Sequence, residues 1–302
     1  MQSLIPKSFQ QPSHKKKNQN TPNSNNPYYL YVVTIIAAAT ILFLFYSRQI
    51  DPKGLCSTAG SLTPAQSIIA EEFESSAIPL VTIFHYATAR DVPQQTKGEI
   101  RRPFDVLQSL APCNFLVFGI GHDSLMWDSF NPLGVTLFLE EDPKWAMSSL
   151  KRFPILRAHT VYYNTRLNEA KTLLSSYKKD CGAVSTDDHP LKDDHRCRLA
   201  LGKLPEEVYD RDWDVIMIDA PRGYFPSAPG RMAVIYSAAV MARGRKKAGV
   251  THVFVHDVDR EVEKLYAKEF LCMKYRVGGI RKLWHFVIPP AANVTDTANG
   301  FC

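Results

Sequence analysis

The chain has 302 residues, enough for one large domain or two small domains with a sizeable hydrophobic core. Its 36 Lys and Arg residues against 30 Asp and Glu residues give a formal net charge of +6. Four of these positive charges lie in the first 27 residues, so the remainder, at +2, gives no reason to expect a nucleic-acid partner.

The first 47 residues divide into a polar tail and an apolar segment. Residues 1–27 are rich in Asn, Gln, Pro and Ser, which predicts a disordered tail. Residues 28–47 contain an uncharged run, Tyr29–Ser47, that is long enough to cross a bilayer and has tyrosines at both ends. The run is too long for a cleavable signal peptide, and it is apolar on every face. Because lysines precede it, we expect a single-pass type II signal anchor with a cytosolic tail and a luminal remainder.

The rest of the chain is predicted to form a stem and one folded domain. Pro and Gly mark the stem at 48–61, and the domain occupies 62–302. We divide the domain into an N-terminal helical cover at 62–112, an α/β core at 113–290 and a C-terminal tail at 291–302. In the cover, Glu99–Leu110 has helical periodicity, whereas Pro79–Arg90 is ambiguous.

The six cysteines all follow the predicted anchor, where disulfides can form. Cys181 and Cys197 bracket a polar insert, Lys178–Leu204, that has little core of its own, and we predict that they pair. We also predict the pair Cys272–Cys302, which would tie the C-terminal tail to the sheet. The insert carries Asp-Asp-His twice, but the spacing matches no standard zinc pattern, so a disulfide-closed loop is favoured.

One stretch of the core carries the signature of a nucleotide site. An apolar run, Phe115–Phe118, predicts a buried strand, and a Gly-Ile-Gly turn interrupts it. A short helix and a second strand, Val135–Leu139, follow, and the strand ends in acidic residues. This order is the first half of a nucleotide-binding α/β unit. A Gly-x-Gly turn without a third glycine or a phosphate-loop lysine suits a ligand that has an adenosine but no pyrophosphate, such as S-adenosylmethionine (SAM).

The predicted SAM contacts follow from this pattern. Glycines let the backbone approach a ligand, and a helix N-terminus, here capped by Asp123 or Ser124, favours an anionic group. We therefore expect contacts from Gly119, Gly121, His122, Asp123 and Ser124. An acid at the end of the second strand can accept hydrogen bonds from both ribose hydroxyls, and the alternation of faces leaves Glu140 and Glu141 both open.

Further strands and helices alternate along the core. The predicted elements are a helix at Pro143–Phe153, a strand at His159–Tyr163, a helix at Leu167–Tyr177, a strand at Trp213–Asp219, a helix at Met232–Ala242, a strand at Thr251–Val255, and a hairpin of Tyr275–Val277 and Leu283–Ile288 joined by Gly278 and Gly279. They predict an α/β, Rossmann-like class I SAM-dependent methyltransferase fold. Its seven-stranded sheet is mostly parallel, has helices on both faces and ends in an antiparallel hairpin.

Several blocks resemble the plant glucuronoxylan 4-O-methyltransferases from about Leu62 to Cys302: Asn114–Trp127, Leu137–Trp145, Arg157–Thr160, Asp219–Phe225, Ala228–Met232, Thr251–Asp257 and Leu283–Phe286. The resemblance implies a Golgi membrane enzyme that transfers a methyl group from SAM to O-4 of glucuronic acid side chains of glucuronoxylan. The wider family also includes members acting on the glucuronic acid of arabinogalactan and members implicated in xylan deposition without a clear activity. The latter replace the Gly-His-Asp of the glycine turn, so Gly121-His122-Asp123 argues for a working SAM site rather than a non-catalytic Golgi scaffold.

Methyl transfer to a sugar hydroxyl needs a group that takes the hydroxyl proton. Acids or imidazoles at the carboxyl ends of the strands are the natural bases, and we rank Asp219 first, His256 second and His122 third. A divalent cation could replace the base by lowering the pKa of the hydroxyl, held by Asp219, His256 and Asp257.

The expected acceptor carries a carboxylate beside O-4, which a planar guanidinium can bind through two hydrogen bonds. Arg222 and Arg231 lie in or next to the loop after Asp219, and Tyr224 or Phe225 could stack on the sugar ring. The sequence leaves the acceptor polysaccharide, the metal requirement and the oligomeric state open.

Overall fold

The computed structural model describes residues 79–90, 92–181, 191–293 and 301–302. The predicted tail, anchor and stem, and the start of the predicted cover, lie outside these ranges. None of the helices within the ranges is long and apolar enough to cross a membrane.

The core is a seven-stranded sheet with the order β3-β2-β1-β4-β5-β7-β6. Strands β1 to β5 are parallel, and β7 runs antiparallel to both β5 and β6. The strands are β1 (Asn114–Phe118), β2 (Val135–Glu140), β3 (Ala158–Thr160), β4 (Val215–Ile218), β5 (Thr251–Val255), β6 (Arg276–Ile280) and β7 (Leu283–Ile288). This confirms the predicted Rossmann-like methyltransferase fold with a mixed seven-stranded sheet.

Helices cover both faces of the sheet. They are α1 (79–88), α2 (Lys97–Leu110), α3 (Ser124–Ser129), α4 (Pro143–Arg152), α5 (Ala170–Asp180), α6 (Glu206–Tyr209), α7 (Met232–Arg243) and α8 (Glu261–Tyr266), which continues as a π-helical segment, Ala267–Cys272. Alternate residues of β1 belong to two separate cores, with Leu116 and Phe118 on one face and Phe115 and Val117 on the other. Parallel strands buried on both faces read as continuous apolar runs, which is why the sequence revealed them.

Several predicted elements differ from the structure at their ends. The strand predicted at Trp213–Asp219, for example, covers only Val215–Ile218. The third strand is shorter than predicted and begins one residue earlier, at Ala158. The helix after it starts with a 3₁₀ turn at Leu167–Glu169 and ends at Asp180 rather than Tyr177. The ambiguous segment Pro79–Arg90 is helical over 79–88.

The predicted hairpin turn is wrong. Gly278 and Gly279 lie inside β6, and the chain turns at Arg281 and Lys282, between the paired residues Ile280 and Leu283. A Cβ atom on Gly279 would lie 2.8 Å from the backbone oxygen of Leu283, and one on Gly278 would lie 3.4 Å from the Arg102 guanidinium. The glycines therefore allow close approach within the sheet and do not form the turn.

Both predicted disulfides are confirmed. Cys181–Cys197 closes the polar insert, and Cys272–Cys302 fixes the C-terminal residues, with Phe301 packed edge-on against Phe270. Of the two Asp-Asp-His groups, the first lies outside the described residues. In the second, Asp194 Oδ1 accepts hydrogen bonds from the backbone N–H groups of Arg196 and Cys197, so this carboxylate shapes the closed loop.

Candidate functional site

A cavity of about 820 Å³ opens where the carboxyl ends of β1, β2, β4 and β5 meet. In the strand order, β1 lies between β2 and β4, so the chain reverses direction across the sheet at this point. Open α/β sheets bind ligands at such switch points, outside the carboxyl ends of the strands. The cavity is lined by the glycine turn, by the acids that follow β2 and by residues of the loops after β4, β5 and β6.

The glycine turn is fixed by sterics and by one hydroxyl group. Gly119 has a φ of 112°, and a Cβ atom there would lie 2.9 Å from the Cβ of Ala220. Only glycine therefore fits between the ends of β1 and β4. The hydroxyl of Ser124 accepts a hydrogen bond from the Gly121 N–H at 2.8 Å. Ser124 is buried and does not line the cavity, so it shapes the turn and is not placed for the predicted ligand contact.

The two acids at the end of β2, Glu140 and Glu141, have different surroundings. Glu140 is buried and accepts hydrogen bonds from the N–H groups of Ile120 and Asp142, at 3.0 and 2.9 Å. Burial is the main reason that its pKa is raised. Glu141 instead binds Arg222, whose backbone N–H and Nε lie 3.0 and 2.6 Å from the same carboxylate oxygen. Glu140 therefore lies against the glycine turn, and Glu141 faces the loop after β4.

Asp123 and His122 complete the turn. Asp123 occupies the N-cap position of α3, but its carboxylate accepts the Trp127 indole N–H at 2.8 Å and makes no capping bond. Burial, with the nearby charge of Asp219, raises the pKa of Asp123 to about 6. His122 lines the cavity, and its carbonyl accepts the Tyr86 hydroxyl at 2.6 Å. Tyr86 belongs to α1, so the helical cover contacts the site directly.

The loops after β4 and β5 bring Asp219, His256 and Asp257 together, with ligand atoms within 4.8 Å of one another. His256 Nδ1 lies 3.0 Å from Asp219 Oδ1, and Gln95 Nε2 donates to Asp219 Oδ2 at 2.9 Å. On the other side of the ring, His256 Nε2 lies 3.6 Å from Glu99 Oε1. Two of the three predicted catalytic residues, Asp219 and His256, are thus neighbours in space, and both ring nitrogens of His256 face carboxylates.

This pairing shifts both pKa values. Burial is the largest single influence on Asp219 and opposes its ionisation. The hydrogen bond to His256 and the Arg231 charge outweigh burial, and the pKa of Asp219 is lowered. Burial likewise opposes the charged form of His256, but the bond to Asp219 outweighs it and raises the pKa of His256. The pair is therefore biased towards carboxylate and imidazolium.

Arg231 lies beneath this cluster and not at its mouth. The side chain is 4% exposed, and its guanidinium donates to the carbonyls of Pro221, His256 and Asp219. The same group also binds the carboxylates of Asp219, at 3.2 Å, and Asp257, at 2.8 Å. The prediction that Arg231 binds the acceptor does not fit this burial, because its donors are occupied by the protein.

The donor set fits a divalent cation poorly. Asp257 Oδ2 accepts from both Arg231 and Arg260, at 2.8 and 2.9 Å, and Asp219 Oδ1 accepts from Arg231 and His256. Two guanidinium groups thus supply the positive charge that a metal ion would bring, and a cation would have to displace them.

The sequence did not identify Gln95 or Glu99 as part of the site. Glu99 is buried, and its Oε2 accepts from the Thr96 N–H and hydroxyl at the start of α2. The Thr-x-x-Glu pattern is a capping box that the sequence shows, and it predicts the start of the helix. It does not predict that the same glutamate lies next to His256. No local sequence pattern indicates that Gln95 belongs to the site, because its partner Asp219 is 124 residues away in the chain.

The predicted acceptor residues other than Arg231 lie at the mouth of the cavity. Arg222 and Tyr224 line it, and the Tyr224 side chain is 67% exposed. Tyr224 and Phe225 form an edge-on pair with ring centroids 5.1 Å apart. The aromatic surface beside Arg222 is therefore open to a large ligand.

Comparisons with known proteins identify the family of the chain. A family model described as IRX15/IRX15L/GXM matches residues 98–286. Among curated proteins of Arabidopsis thaliana, the chain is 49% identical to arabinogalactan O-methyltransferase 2, covering 95% of this chain and 99% of that protein. It is 53% identical to arabinogalactan O-methyltransferase 1 (85% and 89% covered) and 41% identical to glucuronoxylan 4-O-methyltransferase 1 (93% and 99% covered). The chain therefore belongs to the IRX15/IRX15L/GXM family.

Proposed function

We propose that the protein is a SAM-dependent O-methyltransferase that acts on glucuronic acid residues of a plant cell-wall polysaccharide. The observation that carries this proposal is the composition of one cavity. Its β1–β2 side has a glycine turn and a buried acid, and its β4–β5 side has an Asp219–His256 pair. The first is suited to hold SAM, and the second is suited to take a proton from a hydroxyl group.

On the β1–β2 side, the backbone of Gly119–Asp123 and the Glu140 carboxylate would hold SAM, which supplies an electrophilic methyl group. Glu140 is the better candidate for the ribose hydroxyls, because it is bonded to the glycine turn while Glu141 is engaged by Arg222. Asp123, which also lines the cavity, would face the same ligand from the start of α3.

On the β4–β5 side, Asp219 is the preferred general base. Its carboxylate lines the cavity, and Gln95 donates a hydrogen bond to its second oxygen at 2.9 Å. His256 is held between Asp219 and Glu99, and despite its burial the hydrogen bond to Asp219 raises its pKa. We assign His256 the role of stabilising the charge of Asp219. His122 is the third candidate for the general base.

We place arabinogalactan first as the acceptor and glucuronoxylan second. The named arabinogalactan O-methyltransferases share 49% and 53% of their aligned residues with this chain, against 41% for glucuronoxylan 4-O-methyltransferase 1. Both acceptors carry glucuronic acid, so the chemistry at O-4 is the same. We further propose a Golgi membrane location. The uncharged run Tyr29–Ser47 and the lysines before it support a type II membrane anchor, and the Golgi is what the resemblance to the glucuronoxylan 4-O-methyltransferases implies.

A non-catalytic scaffold is the second candidate, because the family description also covers IRX15. Titrating the full-length protein in detergent with SAM separates the two. We expect saturable binding with one site per chain, since the cavity retains the glycine turn and both acids. Folded protein that binds no SAM would contradict the enzyme and favour the scaffold.

A further inference from the structure

Charged residues of both signs line the cavity, and they are unevenly distributed. Four acids at or after the ends of β1 and β2 lie on the side proposed for SAM: Asp123, Glu140, Glu141 and Asp142. Three further acids, Glu99, Asp219 and Asp257, lie on the other side. The exposed or partly exposed cations come from the loops after β4, β5 and β6: Arg222, Arg260, Arg281 and Lys282. An anionic acceptor is therefore favoured on the side of the cations.

All but one of these cations have a carboxylate partner. Arg222 binds Glu141 at 2.6 Å, Arg260 binds Asp257 at 2.9 Å, and Lys282 Nζ lies 3.3 Å from Asp259. Arg281 is exposed and lines the cavity, and it has no carboxylate partner among the described residues. Its guanidinium keeps its hydrogen-bonding donors available for a ligand.

The backbone at Arg281 is unusual for a residue with a side chain. Arg281 has a φ of 51° in the two-residue turn between β6 and β7. A turn with positive φ at its first central residue is normally occupied by glycine, because a Cβ atom is disfavoured there. Strained positions of this kind are concentrated at ligand sites, and this one presents an arginine at the cavity.

Two hydrogen bonds made by the Lys282 backbone hold this turn close to the Asp219–His256 pair. The Lys282 N–H donates to Glu99 Oε1 at 3.0 Å, and the Lys282 carbonyl accepts from Val258 at 3.0 Å. The same Glu99 oxygen lies 3.6 Å from His256 Nε2. The turn is therefore adjacent to the Asp219–His256 pair, and its position is fixed from both sides.

We infer that Arg281 binds the carboxylate of the uronic acid acceptor and selects for it. A guanidinium matches a carboxylate through two parallel hydrogen bonds, which a hydroxymethyl group in the same place cannot form. Arg281 thus takes the role that the buried Arg231 cannot fill. The inference rests on the proposed function, because it assumes an acceptor with a carboxylate next to the reacting hydroxyl.

The test compares full-length wild type with Arg281→Gly, which removes the cation and suits the positive φ, and with Arg281→Lys. Each is assayed with a glucuronic-acid-bearing oligosaccharide and with its carboxyl-reduced analogue. For Arg281→Gly we expect the KM of the acidic acceptor to rise about tenfold or more, with kcat and SAM affinity within about twofold of wild type. The preference for the acidic acceptor should fall by the same factor, and Arg281→Lys should be intermediate.

Arg101→Gln is the matched control, because Arg101 is an exposed arginine of α2 that pairs with Asp105 outside the cavity. It loses one positive charge and should keep the wild-type KM. Thermal unfolding checks the fold, and Arg281→Gly should unfold at or above the wild-type temperature because glycine suits the turn.

Acceptor binding is also measured without turnover, by calorimetry in the presence of S-adenosylhomocysteine. If wild type binds the acidic oligosaccharide and Arg281→Gly loses that affinity, the inference stands even where no methyl transfer is found, and only the proposed function fails. If wild type methylates the acidic acceptor and Arg281→Gly keeps its KM and its preference, the inference is overturned and the proposed function stands.

Discussion

The Asp219 carboxylate joins three distant segments of the chain at the site. It contacts His256, Gln95 and Arg231, which come from β5, the chain before α2 and the start of α7. Sequence could nominate Asp219 because it follows an apolar strand. It could not show that Arg231 is buried beneath it, because burial depends on how distant segments pack. For the same reason, the sequence did not indicate that Arg281 lines the same cavity.

Replacing Asp219 with Asn separates chemistry from binding. Asparagine keeps the shape of the side chain but cannot accept the hydroxyl proton. We expect turnover to fall by about 10²–10⁴, the usual contribution of a positioned general base, with SAM affinity largely kept. The measurement is kcat alongside the Kd for SAM, and near-normal turnover would return the role to His256 or His122.

The two acids after β2 can be distinguished by alanine substitution. Glu140→Ala should weaken SAM binding by about 1–3 kcal/mol, because a charge-assisted hydrogen bond to the ribose is lost. Glu141→Ala should have a smaller effect, since its carboxylate is already paired with Arg222. Calorimetric titration of each variant gives the Kd. Unchanged affinity in both would rule out the assignment of either acid to the ribose.

At the scale of elements, strands buried on both faces were predicted well and turns poorly. The apolar runs of β1, β2 and β5 identify these strands by themselves, and the glycine turn after β1 is required by sterics. The β6–β7 turn was misplaced because two glycines inside β6 looked like a turn, while the real turn uses Arg281 at a positive φ. An arginine whose backbone has a positive φ does not indicate a turn in the sequence.

The Cys181–Cys197 disulfide stabilises the element it closes. A cross-link that closes a loop of this size, with a sequence separation of 16, constrains the unfolded chain by about 3 kcal/mol. The double variant Cys181→Ala/Cys197→Ala should lower the free energy of unfolding by about that amount, as measured by denaturant titration. A loss below about 0.5 kcal/mol would show that the insert is held by its buried leucines and not by the bond.

At the scale of the whole molecule, the orientation of the chain decides where the site meets its acceptor. The uncharged run Tyr29–Ser47 and the lysines before it predict a cytosolic tail and a luminal domain. Protease added to sealed Golgi vesicles should remove only the tail and leave the region around Asp219 intact until detergent is added. Digestion of that region in sealed vesicles would contradict the topology.

The most direct test of the account is the fate of a labelled methyl group. Full-length protein is incubated with methyl-labelled SAM and with arabinogalactan, glucuronoxylan or their uronic-acid-free counterparts, and the labelled sugar is identified by linkage analysis. We predict label on O-4 of glucuronic acid, with arabinogalactan preferred and with no label on the counterparts. Protein that binds SAM yet labels neither polysaccharide, or that labels both counterparts equally well, would contradict it.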